Sequence, residues 1–222
     1  MKKIFVVFVF IIGLGYIAKA CATDPDTISW KEEVVLHDGQ KIIVDRSFTY
    51  GRYGELGQGR LVSGRTIIFS QPGNDQKIKW ESDESISLIM LDFSSGVPYI
   101  VGIPKTCIAF NDWGKPNPPY VFFKYDGQEW KRIAINEFPP EFKEANIYVD
   151  VKSLNRTPIH KSQLLEETNK LGYLSAETVK KWNRDLSEFK RIIRREVITF
   201  GPGNWTKSCD LGPERKSRLR VK

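Results

Sequence analysis

Residues Trp30–Tyr50, WKEEVVLHDGQKIIVDRSFTY, carry the strongest signal of fold class in this 222-residue chain. Two runs rich in β-branched and aromatic residues flank Asp38-Gly39, a dipeptide that favours the tight turn of a β-hairpin. Apolar side chains alternate with polar ones along residues 42–50, and Arg46 is the break in the apolar face. The stretch therefore predicts two antiparallel strands, one of which carries a charge on its apolar side.

Short β-prone runs continue downstream, separated by Gly, Pro, Asn and Asp. A glycine-rich loop, residues 51–64, follows the hairpin, and Asp126-Gly127 is a second strong hairpin signal. The further candidate strands are Thr66–Ser70, Lys77–Glu81, Ile86–Phe93, Val97–Ile103, Thr106–Phe110, Tyr120–Tyr125 and Gln128–Ile133. Many short strands with such turns predict an antiparallel β-rich body, a sandwich or a small barrel, over residues 23–150.

The pattern changes to a helical period after residue 150. A first helix begins near Thr157-Pro158 and ends at Gly172, and Ser175 is the cap of a second. A third begins near Ser187, with apolar residues such as Ile192 inward. Its opposite face carries the basic residues Lys190, Arg191, Arg194 and Arg195. The expected class is α+β: the body, a helical subdomain of two to three helices over 151–206, and a basic tail over 207–222.

Residues 1–22 have the three parts of a secretory signal peptide. Two lysines precede an apolar run of about 14 residues, whereas a membrane-spanning helix needs about 20. Cys21 stands where a bacterial lipoprotein carries its lipid, although the class favours a small neutral residue where this chain has Lys19. Ordinary cleavage after Ala20 or Ala22, or an uncleaved signal anchor, are the alternatives.

Composition excludes several protein classes. With 27% charged and 41% hydrophobic residues, the chain is not collagen, a coiled coil, low-complexity disorder or a polytopic membrane protein. The net charge of +7 is divided unevenly: residues 21–150 hold 14 Lys and Arg against 19 Asp and Glu, and residues 151–222 hold 17 against 8. The predicted body is therefore acidic and the carboxyl-terminal part is basic.

Cys107 and Cys209 remain once Cys21 is assigned to the signal region. Because export would bring them into an oxidising compartment, the sequence favours a disulfide between them over two free thiols. Such a bridge would close a long loop and would stabilise the folded protein by roughly 4–5 kcal/mol in the chain-entropy account.

Residues 30–44, WKEEVVLHDGQKIIV, and 112–132, from DWGKPNPPYV to GQEWKR, resemble a family of uncharacterised proteobacterial envelope proteins. Several members of that family are described as candidate lipoproteins. The resemblance spans most of residues 30–135. It implies a bacterial envelope location and carries no known activity, fold or catalytic residues.

The sequence offers no complete catalytic motif: Ser187-Glu-Phe-Lys190 matches Ser-x-x-Lys without its partner elements, and no spacing singles out a general-acid pair of carboxylates. There is no Gly-x-Ser-x-Gly, and the glycines of residues 51–64 lack the Gly-Lys-Ser/Thr of a P-loop. His37 and His160 are far apart, so no metal is expected, and His37, which precedes a turn aspartate, is interpreted as a solvated or capping residue. The sequence predicts no cofactor.

Two features have the composition of binding sites. The loop from Trp113 to Tyr120, WGKPNPPY, has an aromatic residue at each end; it could stack on a sugar or dock a peptide, or be a rigid turn pinned by Trp113. The basic face of the third helix could contact anionic lipid, or could be a solvated face paired with the acidic body. An exported location argues against nucleic acid as the partner.

We therefore expect a bacterial envelope protein, lipid-anchored or free in the periplasm, that binds or scaffolds without catalysis. Its expected partners are the membrane, another envelope protein or a wall polymer, and the oligomeric state is left open. The alternative is a periplasmic hydrolase that cleaves a wall polymer through carboxylates. Substitution of Asp112 and Asp126 would test that alternative.

Overall fold

A computed structural model describes residues 27–51, 62–149 and 161–183, together with Ile192, Arg194 and Cys209. The predicted signal peptide with Cys21, the predicted start of the first helix and nearly all of the basic tail lie outside these residues. The α+β class with a β-rich body is confirmed, since the described chain contains two four-stranded antiparallel sheets and a few helices.

Sheet A contains the hairpin predicted from Trp30–Tyr50. Its strands lie in chain order: β1 Thr27–Val35, β2 Lys41–Tyr50, β3 Val62–Ser70 and β4 Lys77–Asp83. Trp30 pairs with Arg46, and Gly39 takes a φ of 86° in the turn, a conformation that favours glycine. Burial alternates along β1 and β4, so one face of this sheet is in water and the other is in the core.

Sheet B follows with its strands also in chain order. They are β5 Ile86–Ser94, β6 Val97–Pro104, β7 Val121–Tyr125 and β8 Trp130–Ile133, and a 3-10 turn over Ile135–Glu137 comes next. Seven or more residues in each of β5 and β6 are buried without alternation, because both faces of this sheet are covered. An irregularity between Leu88 and Met90 shifts the register of β5.

The two sheets pack face to face as a sandwich. Their shared core joins Val34, Ile67 and Trp80 of sheet A to Leu91 and Phe123 of sheet B. At one side the indole N–H of Trp130 donates to the Lys79 carbonyl on β4, at 2.8 Å, which connects the edge strands of the two sheets.

The second face of sheet B is covered by later parts of the chain. Phe138, Phe142, Val149 and Ile192 pack there against Tyr99 and its neighbours. The predicted inward position of Ile192 is confirmed, since its side chain is buried in this cluster.

A predicted strand over Thr106–Phe110 is wrong, because the chain forms the helix α1, Cys107–Asp112. The Thr106 hydroxyl accepts the Ala109 amide at 3.0 Å, and the Asn111 side chain donates to the Cys107 carbonyl. These local hydrogen bonds favour a helical turn over the extended form that the β-prone composition suggests.

Two further helices, α2 Lys161–Leu171 and α3 Ala176–Trp182, confirm the predicted ones over the described residues. Gly172 ends α2 with a φ of 79°, and Ser175 caps α3. Leu164, Leu174 and Val179 pack with residues of β1 and β2 in one cluster, so these helices share a core with sheet A.

The third predicted helix is not supported at its two described residues. Neither Ile192 nor Arg194 is helical. The Ile192 amide donates instead to the Lys143 carbonyl at 2.8 Å, so it does not donate to the carbonyl four residues earlier.

Candidate functional site

His37 and Asp92 form a paired, partly buried group at one edge of the sandwich. The imidazole Nδ1 lies 2.8 Å from Asp92 Oδ1, and the His37 backbone amide donates to Oδ2 at 2.9 Å. Oδ1 also accepts the Phe93 amide. Asp92 is 3% exposed, whereas the side chain of His37 is 30% exposed, so one side of the imidazole meets water.

This pair joins three parts of the fold. His37 comes from the turn between β1 and β2, and Asp92 lies on the edge strand β5. The ring of Phe142, from the segment after β8, meets the imidazole edge-on with centroids 5.0 Å apart. The pair therefore holds sheet A, sheet B and the covering segment together at one point.

Burial and hydrogen bonding act on the two groups. The hydrogen bond to Asp92 raises the pKa of His37 above 6.5, despite partial desolvation, which lowers it. Burial raises the pKa of Asp92, although the hydrogen bond from His37 opposes this. The arrangement can store or release a proton at the imidazole near neutral pH.

Glu141 acts electrostatically on His37 and interacts in turn with Ser94 and Arg194. The Ser94 hydroxyl donates to Glu141 at 2.8 Å, and this bond, after a backbone hydrogen bond, lowers the pKa of Glu141. Arg194 donates to the carbonyls of Phe138, Pro139 and Phe142, and burial lowers its pKa.

Of the predicted basic surface, Arg194 is therefore engaged with the protein's own backbone. Lys190, Arg191 and Arg195 lie outside the described residues, as does the predicted lipidation site Cys21. The expectation of a basic face that contacts anionic lipid stays a prediction.

A second buried charged group lies on the inner face of sheet A. The Glu32 carboxylate, fully buried, accepts from Arg46 at 2.8 Å, from the Trp30 indole at 3.0 Å and from the Tyr148 amide at 2.5 Å. Arg46 also donates to the Tyr148 carbonyl. All these partners lie within the protein, so the group joins sheet A to the segment around Tyr148.

The Trp113–Tyr120 loop is built into the core at both ends. Tyr120 is 2% exposed, and the Trp113 indole donates to the Ser85 hydroxyl at 3.2 Å and packs on Phe123. The Arg132 guanidinium lies over the Trp113 ring, 5.5 Å from its centroid. Of the two interpretations of this loop, the geometry favours the rigid turn over the stacking surface.

The predicted disulfide between Cys107 and Cys209 is present in the structure. The two Cα atoms are 4.8 Å apart, and the residues are 102 positions apart in sequence. Asn111 donates to the Cys209 carbonyl at 2.9 Å. Cys209 is thus fastened to α1 by the disulfide and by this hydrogen bond.

Asp126 has a local role in the hairpin between β7 and β8. It accepts the amides of Gln128 and Glu129 and pairs with Lys131 at 2.6 Å. These contacts hold the pKa of Asp126 well below its usual range, so it stays ionised and is a poor general acid.

Sequence reasoning did not assign the His37–Asp92 pair or the Glu32–Arg46 pair. Arg46 was visible as a charge on the apolar face of β2, and Asp92 as the single acidic residue in the apolar run of β5. A charge in such a run signals a buried partner. The sequence does not indicate which residue that partner is, because the partner lies in a different part of the chain.

Over residues 27–51, 62–149 and 161–183 no group of three His, Cys, Asp or Glu side chains is placed to hold a metal ion. In the same part of the chain, no helix has the length and apolar character needed to cross a membrane.

Comparison with known proteins gives no match to a protein-family model, a curated protein or a solved structure. The resemblance of residues 30–135 to envelope proteins therefore stays a prediction.

Proposed function

We propose that this chain is an exported protein of the bacterial cell envelope that acts by binding or scaffolding. The observation that carries the proposal is the disulfide between Cys107 and Cys209. Disulfides persist in oxidising compartments and are rare in the cytosol, where thiols are kept reduced. This agrees with the signal-peptide pattern of residues 1–22, which directs a chain to such a compartment.

The proposal includes a lipid anchor on Cys21. The first strand begins at Thr27, six positions after this cysteine. Six extended residues span at most about 20 Å, so an anchored chain would keep the Thr27 end of sheet A close to the membrane.

Internal contacts of the described charges favour binding over catalysis. Asp92, Glu32 and Asp126 all accept hydrogen bonds from backbone amides and pair with a basic or imidazole group of the same chain. Carboxylates used in this way stabilise turns and the contacts between the sheets and the segments that pack on them. The sandwich is therefore a framework whose surfaces and tethered ends are the parts available to a partner.

Fractionation of cells that express the full chain, followed by intact mass measurement, tests this proposal. We expect the mature chain in the envelope fraction with a diacylglycerol-sized increment on Cys21, and a two-dalton gain on reduction of Cys107–Cys209. Cys21→Ser should lose the increment and leave the membrane. The matched double variant Cys107→Ser/Cys209→Ser should keep the increment and lose the two-dalton gain.

An unmodified chain that begins at Cys21 or Thr23 would contradict the anchor but keep the exported location. Recovery in the cytosol with free thiols would contradict the whole proposal. Turnover of wall fragments by purified protein, lost on Asp112→Asn or Asp126→Asn, would favour the hydrolase instead.

A further inference from the structure

We propose that His37 and Asp92 form a pH-sensitive latch, which holds the β1–β2 turn and residues 138–143 against the edge of sheet B and loosens as the pH rises. The latch is independent of where the protein resides. It is inferred from the position of the pair at the junction of the two sheets and their covering segment.

The first argument is that Asp92 has no other ion partner among the contacts described for it. Its two oxygens accept from the His37 amide, the His37 imidazole and the Phe93 amide. Two of these three donors belong to His37. If the turn leaves, a nearly fully buried carboxylate keeps one backbone donor, and this makes the open form unfavourable while the carboxylate is charged.

The second argument is that the covering segment depends on the same contact. Phe142 packs edge-on against the His37 imidazole and against Tyr99, with ring centroids 5.0 Å and 5.6 Å apart. Glu141, the residue before it, is held by Ser94, two residues after Asp92 on β5. Movement of the imidazole would therefore remove one wall of the Phe142 site.

The charged groups around His37 share one sign. Asp92 on β5, Asp38 on its own turn and Glu141 on the covering segment are all acidic and all favour the imidazolium. Arg194 carries the opposite charge; it acts on Glu141 and donates to the Phe138 and Phe142 carbonyls of the covering segment. The site therefore attracts a proton to His37 in the closed form.

The sign of the pH effect follows from this preference. The closed form raises the pKa of His37, so the latch is fully stabilised below the ordinary value of 6.5 and loses that contribution as the pH rises through the raised pKa. Burial raises the pKa of Asp92, so ionisation of this carboxyl costs the closed form free energy, and the two donors of His37 offset that cost. Deprotonation of His37 removes the charge from one of these donors, so the latch loosens as the pH rises through the pKa of His37.

The test uses the two histidines of the chain. Imidazole resonances of the full mature chain are followed by NMR against pH, and His160→Asn, which removes the other histidine, assigns the His37 signal and serves as the matched control. We expect a His37 midpoint above 6.5. Asp92→Asn should bring it down, because the amide keeps a hydrogen-bonding group but removes the charge.

Amide hydrogen exchange measures the latch itself. After correction for the intrinsic pH dependence of exchange, opening at the His37 and Phe93 amides should increase between pH 6 and 9. The increase should be about tenfold for each unit by which the midpoint measured by NMR for His37 exceeds the ordinary value of 6.5. His37→Asn, whose side-chain amide can donate in place of Nδ1, should remove this pH dependence, and the His160→Asn control should keep it.

A His37 midpoint at or below 6.5 in the unmodified chain would overturn the proposal, and this measurement requires no variant to fold. Equal pH dependence of opening in His37→Asn and His160→Asn would also overturn it.

Discussion

The Arg46 guanidinium lies 2.8 Å from the Glu32 carboxylate on the inner face of sheet A, with both side chains almost completely excluded from water. Trp30 and Tyr148 supply the remaining hydrogen bonds to the carboxylate. Arg46 also stacks on the rings of Trp30 and Phe48, at 5.0 Å and 5.8 Å. A charged pair buried to this degree is stable only while every partner is present.

Removal of Arg46 should therefore destabilise the protein strongly. We expect Arg46→Met to lower the free energy of unfolding by about 3–5 kcal/mol, because it leaves the Glu32 charge buried without its counter-ion. Urea unfolding followed by tryptophan fluorescence measures this. Lys31→Met is the matched control, since Lys31 pairs with Asp45 at 2.9 Å on the exposed side of the same strands, and it should cost about 0–1 kcal/mol. Equal unfolding midpoints for the two variants would contradict this view of the pair.

Loss of the disulfide should destabilise the fold, because the unfolded chain gains conformational entropy when the cross-link is removed. The bridge joins residues 102 positions apart, so Cys107→Ser/Cys209→Ser should cost up to about 4–5 kcal/mol in the chain-entropy account. Urea unfolding of the oxidised protein, the reduced protein and the double variant tests this. The reduced protein should match the double variant, and Cys21→Ser should behave as the oxidised parent; an unchanged midpoint on reduction would speak against a stabilising bridge.

Asn146 connects the two sheets, and its truncation should weaken the contact between them. Its side-chain amide donates to the Val35 carbonyl at 3.0 Å and to the Leu91 carbonyl at 2.7 Å, and its oxygen accepts the Leu91 amide. Asn146→Ala should cost about 1–3 kcal/mol for the groups left without partners. Faster amide exchange at Leu91 should accompany the loss.

The control for Asn146 is Asn74→Ala, which removes a single hydrogen bond to the Gln76 amide in an exposed turn. We expect this change to cost less than about 1 kcal/mol. An Asn146→Ala protein as stable as Asn74→Ala would show that the apolar core alone holds the two sheets together.

Gly102 on β6 has no room for a methyl group. A Cβ there would clash with Ile86 Cγ2 on the neighbouring strand, so Gly102→Ala should cost about 1–3 kcal/mol or more by overpacking. Gly64→Ala on β3 is the matched control, because the nearest atom to its Cβ would be 3.7 Å away. Thermal unfolding should separate the two variants, and similar melting temperatures would contradict the steric argument.

Local signals in the sequence predicted much of the sandwich. The Asp38-Gly39 and Asp126-Gly127 turns lie between paired strands as expected, and Ser175 caps its helix. The region around Thr106 is helical where a strand is predicted, because its composition favours β-structure while a single capping hydroxyl favours a helix. These features depend on neighbours within a few residues, so the local sequence is sufficient to predict them.

The candidate sites depend on distant parts of the chain. His37 and Asp92 are 55 residues apart, and Glu32 and Tyr148 are 116 apart. A sequence indicates that a charge stands in an apolar run, as Arg46 and Asp92 do, but not which group will neutralise it.

The sequence alone predicts the antiparallel β-rich class, the hairpin turns and the disulfide partners, because turn residues and alternation act between near neighbours and two cysteines remain once Cys21 is assigned. Packing in three dimensions covers sheet B on both faces, buries Tyr120 and brings His37 to Asp92. The physical reason is that burial and pairing arise when two sheets and their covering segment pack together, and that packing sets the free energy of each charge.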